Sequence, residues 1–131
     1  MNVYLDSLIV IYMVEQPPVF AAAVNRAIRQ LKPSEYTCTE LTRVETLIVP
    51  RRNGDQQLEL DFEWFFGQSF VRFATMNRAV FDRAVVLRAK YRFLKTPDAS
   101  HLASAIDSSC DAFLTNDVKL ASVTEIAVHL I

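Results

Sequence analysis

Glycine is almost absent from this chain, with two residues in 131, at positions 54 and 67. Hairpin-rich sheets draw on glycine for turns at positive φ, so a chain this poor in it is unsuited to an all-β design. Cysteine is equally scarce. Cys38 and Cys110 stand far apart without C-x-x-C spacing, and read as reduced thiols of a cytoplasmic protein. The longest apolar run, Leu8 to Val14, falls well short of the roughly 20 residues that cross a bilayer, and the N-terminus shows no basic leader. Neither charge is in surplus. With 14 Lys and Arg against 15 Asp and Glu the net charge is −1, so any contact with a polyanion has to come from a local patch.

What the chain does have is apolar residues, at 51%. That share and the length fit one helix-rich domain over residues 1–131, burying roughly 65–70% of its unfolded surface without staples. Val3-Tyr4-Leu5 reads as a short buried strand, followed by a buried helix over Leu8–Val14. Pro17-Pro18 opens a helix from Val19 to about Leu31, which stops before Pro33. Tyr36-Thr37-Cys38 is a second strand. A helix from Thr39 or Glu40 to about Arg52 ends at Asn53-Gly54, and another over Gln56–Phe66 ends at Gly67, read as a left-handed stop. Ser69–Phe73 reads as a strand. Val80, Ala84, Leu87, Tyr91 and Leu94 mark one buried face of a helix over Arg78–Leu94. Thr96-Pro97-Asp98 starts the next helix, with the threonine hydroxyl as its cap. Ala112–Leu114 is a strand, Thr115-Asn116-Asp117 turns into a one-turn helix, and Glu125–Val128 is the last strand. Short strands joined by helical crossovers predict an α/β fold: a mostly parallel central sheet of four or five strands with helices on both faces.

Four acids fall where elements change. Asp6 ends the first strand, Asp117 follows the fourth, and Asp98 opens a helix just after Pro97. Glu45 lies on a helix within the arc of Leu41, Val44, Ile48 and Val49, which is read as the buried side. A carboxylate there needs a salt-bridge partner or a metal. Strand carboxyl ends are where an open α/β sheet builds its ligand site, and grouped carboxylates suit a hard cation. Each acid also has a plain structural reading. Asp6 and Asp117 can be helix caps, and Asp98 can complement a helix dipole. Spacing leaves both readings open.

Four blocks, in order, carry a resemblance. They are Val3-Tyr4-Leu5-Asp6-Ser7 with Ile11-Tyr12; Glu40-Leu41-Thr42-Arg43-Val44-Glu45; Thr96-Pro97-Asp98-Ala99-Ser100-His101-Leu102-Ala103-Ser104-Ala105; and Phe113-Leu114-Thr115-Asn116-Asp117. Across essentially its whole length the chain resembles PIN-domain ribonucleases, specifically the VapC-type toxins of bacterial toxin–antitoxin pairs. The resemblance implies a PIN-like three-layer α/β/α fold and a metal-dependent endoribonuclease. It also implies that Asp6, Glu45, Asp98 and Asp117 form the catalytic, Mg²⁺- or Mn²⁺-binding site. Ser7, Thr115 and Asn116 are candidate hydrogen-bond donors around those acids. The same resemblance implies a homodimer and a VapB-like antitoxin lying across the groove. Leu8 departs from the polar residue, often Asn, that many relatives carry there, so a supporting hydrogen bond is either missing or supplied by Ser7.

Arg51 and Arg52 are candidate RNA contacts, while Arg88, Arg92 and Lys95 flank the long helix and read equally as a solvated face. His101 is a candidate general base or a packing residue. Phe62, Trp64, Phe65, Phe66, Phe70 and Phe73 form either core or a protein interface. Two other classes compete: a PIN-like RNA- or protein-binding module with weak or no activity, and a Mg²⁺-binding phospho-receiver-like signalling domain. The receiver pattern wants adjacent acids after the first strand, where this chain has Ser7 and Leu8.

Overall fold

A computed structural model describes residues Met1–Ile131. In chain order the elements are β1 (Asn2–Leu5), α1 (Ser7–Glu15), α2 (Pro18–Leu31), β2 (Glu35–Cys38), α3 (Glu40–Asn53), α4 (Gln56–Phe66), β3 (Val71–Phe73), α5 (Arg78–Lys90), α6 (Thr96–Asp107), β4 (Ala112–Thr115), a 3-10 helix (Val118–Ser122) and β5 (Val128–Leu130). The five strands form one sheet in the order β3-β2-β1-β4-β5, and every pairing is parallel. This is the expected α/β/α arrangement. No single helix is long and apolar enough to cross a membrane.

Alternation along β1 divides the core. Tyr4 faces α5 and α6 in a cluster with Leu87, Leu94, Leu102 and Phe113, whereas Val3 and Leu5 join Ile9, Val24, Phe62 and Leu114 on the other side. The chain steps outward from β1 to β2 and β3, then crosses back to β4 and β5. Order therefore reverses between β1 and β4, and the crevice at such a switch point opens beyond the strands' carboxyl ends. A receiver-type sheet would run 2-1-3-4-5. The observed order is different.

Several boundaries differ from the sequence reading. The long helix stops at Lys90 instead of Leu94, because Tyr91 leaves helical geometry while its N–H still bonds the Leu87 carbonyl. Leu94 is nonetheless buried, delivered from a turn that Arg88 braces through the Leu94 carbonyl (3.0 Å) and Thr96 Oγ1 (3.0 Å). That contact occupies the Thr96 hydroxyl, so it does not cap α6, whose N-cap is Lys95. Gly67 is right-handed at φ −83, so its turn does not require glycine; Gly54, at φ +65, is the left-handed stop. The third strand is shorter than read, and the last lies at Val128–Leu130 instead of Glu125–Val128.

The larger correction concerns α3. Its buried residues are Thr42, Thr46 and Pro50, while Val44 (60% exposed), Ile48 and Val49 face solvent. The apolar arc is the outer face. The inner face is polar because it closes over other polar groups at the strand ends, and Glu45 sits at its margin. The aromatic cluster divides in the same way. Phe62, Phe65 and Phe66 are core and Phe73 packs edge-on against Phe66, but Trp64 is 68% exposed.

One helix thus offers a paired test. Phe62→Ala should cost about 3–5 kcal/mol by chemical denaturation, as expected for a fully buried aromatic. Trp64→Ala should stay within about 0.5 kcal/mol of the parent.

Candidate active site

Asp6 is placed by the pairing of β1 with β4, in which Leu5 stands opposite Leu114. Its N–H donates to the Leu114 carbonyl at 3.0 Å, which puts its side chain beside the residue that follows. Thr115 Oγ1 donates to Asp6 Oδ2 at 2.6 Å, and Oδ1 accepts from the Ser7 N–H at 2.8 Å. Asp6 is thus a helix cap and a rim carboxylate together. Asp117 has the same double role: its N–H donates to Thr115 Oγ1 (3.1 Å), and its Oδ1 accepts from the Lys119 N–H (3.0 Å). One buried threonine hydroxyl therefore joins the two aspartates.

Asp98 enters from the first turn of α6. Burial raises its carboxyl above the ordinary value, and the negative charges of Asp6 and Asp117 push it the same way. Asp98 therefore feels the charges of the other two aspartates across the crevice. Glu45 comes from α3 on the opposite side. Its Oε1 accepts from Ser7 Oγ at 2.9 Å and lies 2.5 Å from His101 Nε2. The hydrogen bond from His101 holds the Glu45 carboxyl below its usual range, against the opposing effect of burial. His101 is buried, and neither of its ring nitrogens is free, since Nδ1 lies 2.7 Å from the Tyr4 hydroxyl. This packing leaves it badly placed to reach a substrate as a base.

The other candidates fall out unevenly. Ser7 and Thr115 each bond an acid, with Ser7 reaching Glu45 beside an exposed Leu8. Asn116 instead donates to the Tyr12 hydroxyl at 3.0 Å. Arg51 pairs with Glu59, and with Arg52 it lies at the far end of α3, six and seven residues beyond Glu45 or roughly 10 Å by helix rise. Arg88 is a structural brace, as described above. Sequence reasoning missed the role of Tyr4, which it treated only as part of a strand. A tyrosine in a strand expected to be buried, needing a partner for its hydroxyl, was the available signal.

The donor set, three aspartates and a glutamate, is all oxygen and suits a hard divalent cation. The mutual repulsion at Asp98 is what such a cation would relieve. As they stand, no three acidic, imidazole or thiol groups close around a common point. Asp6 and Asp117 are turned to neighbouring donors and Glu45 to His101.

A parallel sheet with acids gathered beyond its switch point defines an α/β protein with a rim-facing acidic site. Residues 3–126 match the PIN domain family model, and the chain belongs to that family. Its fold is shared with three solved structures of low sequence identity. VapBC2 from Rickettsia felis, bound to a DNA fragment from its promoter, aligns with a TM-score of 0.80 at 14% identity, over 99% of this chain and 98% of that one. A toxin–antitoxin complex from Klebsiella pneumoniae gives 0.76 at 20% identity, over 98% and 99%. Mycobacterium tuberculosis VapC20, a Sarcin-Ricin loop cleaving toxin, gives 0.71 at 13% identity, over 95% and 98%. No curated protein matches the sequence.

The two shifted acids have opposite signs in stability. A carboxyl raised in the folded state disfavours folding once it ionises, so Asp98→Asn should gain on the parent as pH rises from acid to neutral. A carboxyl held low stabilises above the ordinary carboxylate range and loses that contribution as pH falls through its folded value. Glu45→Gln should therefore be less stable than the parent at neutral pH and converge on it in acid. Thermal melts of the metal-free proteins across pH 3–7 (about the span of carboxylate titration) measure both slopes. The gaps should be about 1 kcal/mol or less, since both groups are partly solvated.

Proposed function

We propose that this chain is a metal-dependent endoribonuclease acting as the toxin of a toxin–antitoxin pair, with residues 1–131 working as one PIN-like domain in the cytoplasm. The observation that carries the reading is the placement of Asp6, Asp98 and Asp117 beyond the β1–β4 switch point, with Asp6 and Asp117 joined through Thr115 and Asp98 close enough for their charges to raise its carboxyl. Family membership and the folds of VapC-containing relatives support it. Asp6, Asp98 and Asp117 hold the ion, Mg²⁺ or Mn²⁺, and Glu45 completes the site. When bound, the ion supplies positive charge for the phosphate oxygens and acidifies a water molecule. Glu45 orients that water or takes up its proton. Thr115 keeps Asp6 and Asp117 in register, and Ser7 steadies Glu45. Arg51 and Arg52 offer positive charge to the RNA backbone away from the scissile bond.

The outer face of α3 supports a protein partner. Val44, Leu47 and Ile48 run beside Leu60 of α4, between the Arg43–Glu63 and Arg51–Glu59 ion pairs, and line two shallow clefts of about 380 and 290 Å³. An amphipathic antitoxin segment suits such an apolar strip with charged margins. A homodimer accords with the further apolar surface on α5, where Phe81, Val85 and Val86 are exposed. The open spacing of the acids favours a second reading, a PIN-like binding module of weak or no activity.

Purified protein should cleave RNA with Mg²⁺ or Mn²⁺ and stop with EDTA. Asp6→Asn and Asp98→Asn should each lower kcat/KM by more than about 100-fold, beyond what losing a supporting hydrogen bond costs, while both still melt cooperatively. Cleavage at the parental rate by both variants, with contaminating nuclease excluded, refutes the assignment.

A further inference from the structure

Behind Glu45 lies a chain of polar side chains that metal-assisted hydrolysis does not by itself require. His101 is 2% exposed, and Tyr4 is fully buried among the apolar side chains on the α5–α6 side of the sheet. The Tyr4 hydroxyl meets His101 Nδ1 at 2.7 Å and Thr39 Oγ1 at 3.2 Å. Thr39 is itself fixed as the cap of α3, exchanging hydrogen bonds with Thr42 at 3.1 and 3.4 Å. Beyond the ring, Nε2 stands 2.5 Å from Glu45 Oε1. An ionised carboxylate can only accept, so Nε2 carries a proton. In the neutral ring Nδ1 is then the acceptor, and Tyr4 donates to it.

The contacts on Glu45 are one-sided. Ser7 and His101 both meet Oε1, and Oε2 has no hydrogen-bond partner in the protein, on a side chain that is 36% exposed. Two partners on one oxygen fix the plane of an otherwise flexible carboxylate and direct its other oxygen. They come from α1 and α6, while Tyr4 of β1 and Thr39 at the start of α3 extend the same hydrogen-bonded chain behind the imidazole. A packing role alone would not need the polar atoms. The Tyr4 ring already stacks on Phe113 at 5.2 Å and 6°, a contact that phenylalanine would keep.

We propose that Tyr4 and His101 are positioning residues for Glu45: the phenol sets the tautomer and tilt of the imidazole, the imidazole holds Oε1, and Oε2 is thereby presented to the crevice. This rests on Glu45 belonging to the nuclease site proposed above. Neither residue touches RNA. Their effect is transmitted wholly through the glutamate.

The test uses the full chain and five variants: Tyr4→Phe, His101→Leu, His101→Gln, Glu45→Gln and the His101→Leu/Glu45→Gln double. Cleavage of a fluorogenic RNA oligonucleotide gives kcat and KM, calorimetry gives Mn²⁺ affinity, and long-range ¹H–¹⁵N spectra give the ring tautomer. His101→Leu should lower kcat about 10–100-fold with KM little changed, and weaken Mn²⁺ binding, as loss of an orienting partner does. His101→Gln, whose amide N–H can reach toward Oε1, should recover most of that loss. Tyr4→Phe should fall between the parent and His101→Leu. The double variant should be no worse than Glu45→Gln, because the imidazole acts only through that carboxylate.

Additive losses in the double variant overturn the proposal, as does a Tyr4→Phe protein with parental kcat and an unchanged tautomer. The second result counts even if His101→Leu fails to fold. A parent protein that neither cleaves RNA nor binds Mn²⁺ defeats the nuclease reading instead. The spectra then judge the positioning separately: a parental ring protonated at Nε2 that loses this preference in Tyr4→Phe supports it, and a ring averaging both tautomers overturns it.

Discussion

The register of β1 against β4 is the constraint on which the site depends. Leu5 opposite Leu114 sets Asp6 beside Thr115, and Thr115 in turn receives the Asp117 N–H. A slip of one residue would exchange the two faces of a strand whose alternate side chains fill different cores. Tyr4 would leave the α5–α6 side, and Asp6 would lose its threonine. Because both sides of the sheet are packed, such a slip is opposed by the whole interior and not by the rim itself. The placement of the acids at the rim therefore draws its precision from apolar packing.

Polarity collects at that rim with unusual completeness. Ser7, Thr39, Thr42, His101 and Thr115 are all buried there, and no buried side-chain nitrogen or oxygen in the chain lacks a hydrogen-bond partner. A satisfied polar network inside low-dielectric surroundings is stiff, since breaking any link strands a desolvated group. Stiffness around Glu45 contrasts with the aspartates, which stand apart without a counter-charge. Glu45 is paired with an imidazole, whereas Asp6 and Asp117 are held by neutral donors.

Much of this was legible in the residues. Strand ends, proline starts and the i, i+4, i+7 spacing of Val80, Ala84 and Leu87 located nearly every element, because local geometry there agrees with burial. The order of four acidic blocks pointed to the rim before any coordinate did. The failures share a cause: position in the tertiary structure reversed a local preference. On α3 the apolar arc faces outward and the threonines inward, so Glu45 lies at the margin of a polar inner face and not within an apolar one. At Thr96 an arginine from the preceding helix claimed the hydroxyl that was read as a cap. Asn116 bonds Tyr12 because it lies one residue past the threonine that serves the acids. No periodicity in a single segment encodes partners drawn from distant ones, which is why the Tyr4–His101–Glu45 connection was invisible.

The two outermost strands, Val71–Phe73 and Val128–Leu130, are three residues each. Arg72 on one of them is tied to Glu35 and to the Ser108 carbonyl, which keeps a bulky charge at that border. Borders this short, one of them also charged, give an incoming strand little backbone to pair with, and so discourage amyloid-like growth of the sheet. The molecule can then carry wide greasy patches on its helices at modest risk. The broad apolar surfaces left open are then those of the helical flanks, away from the sheet's borders.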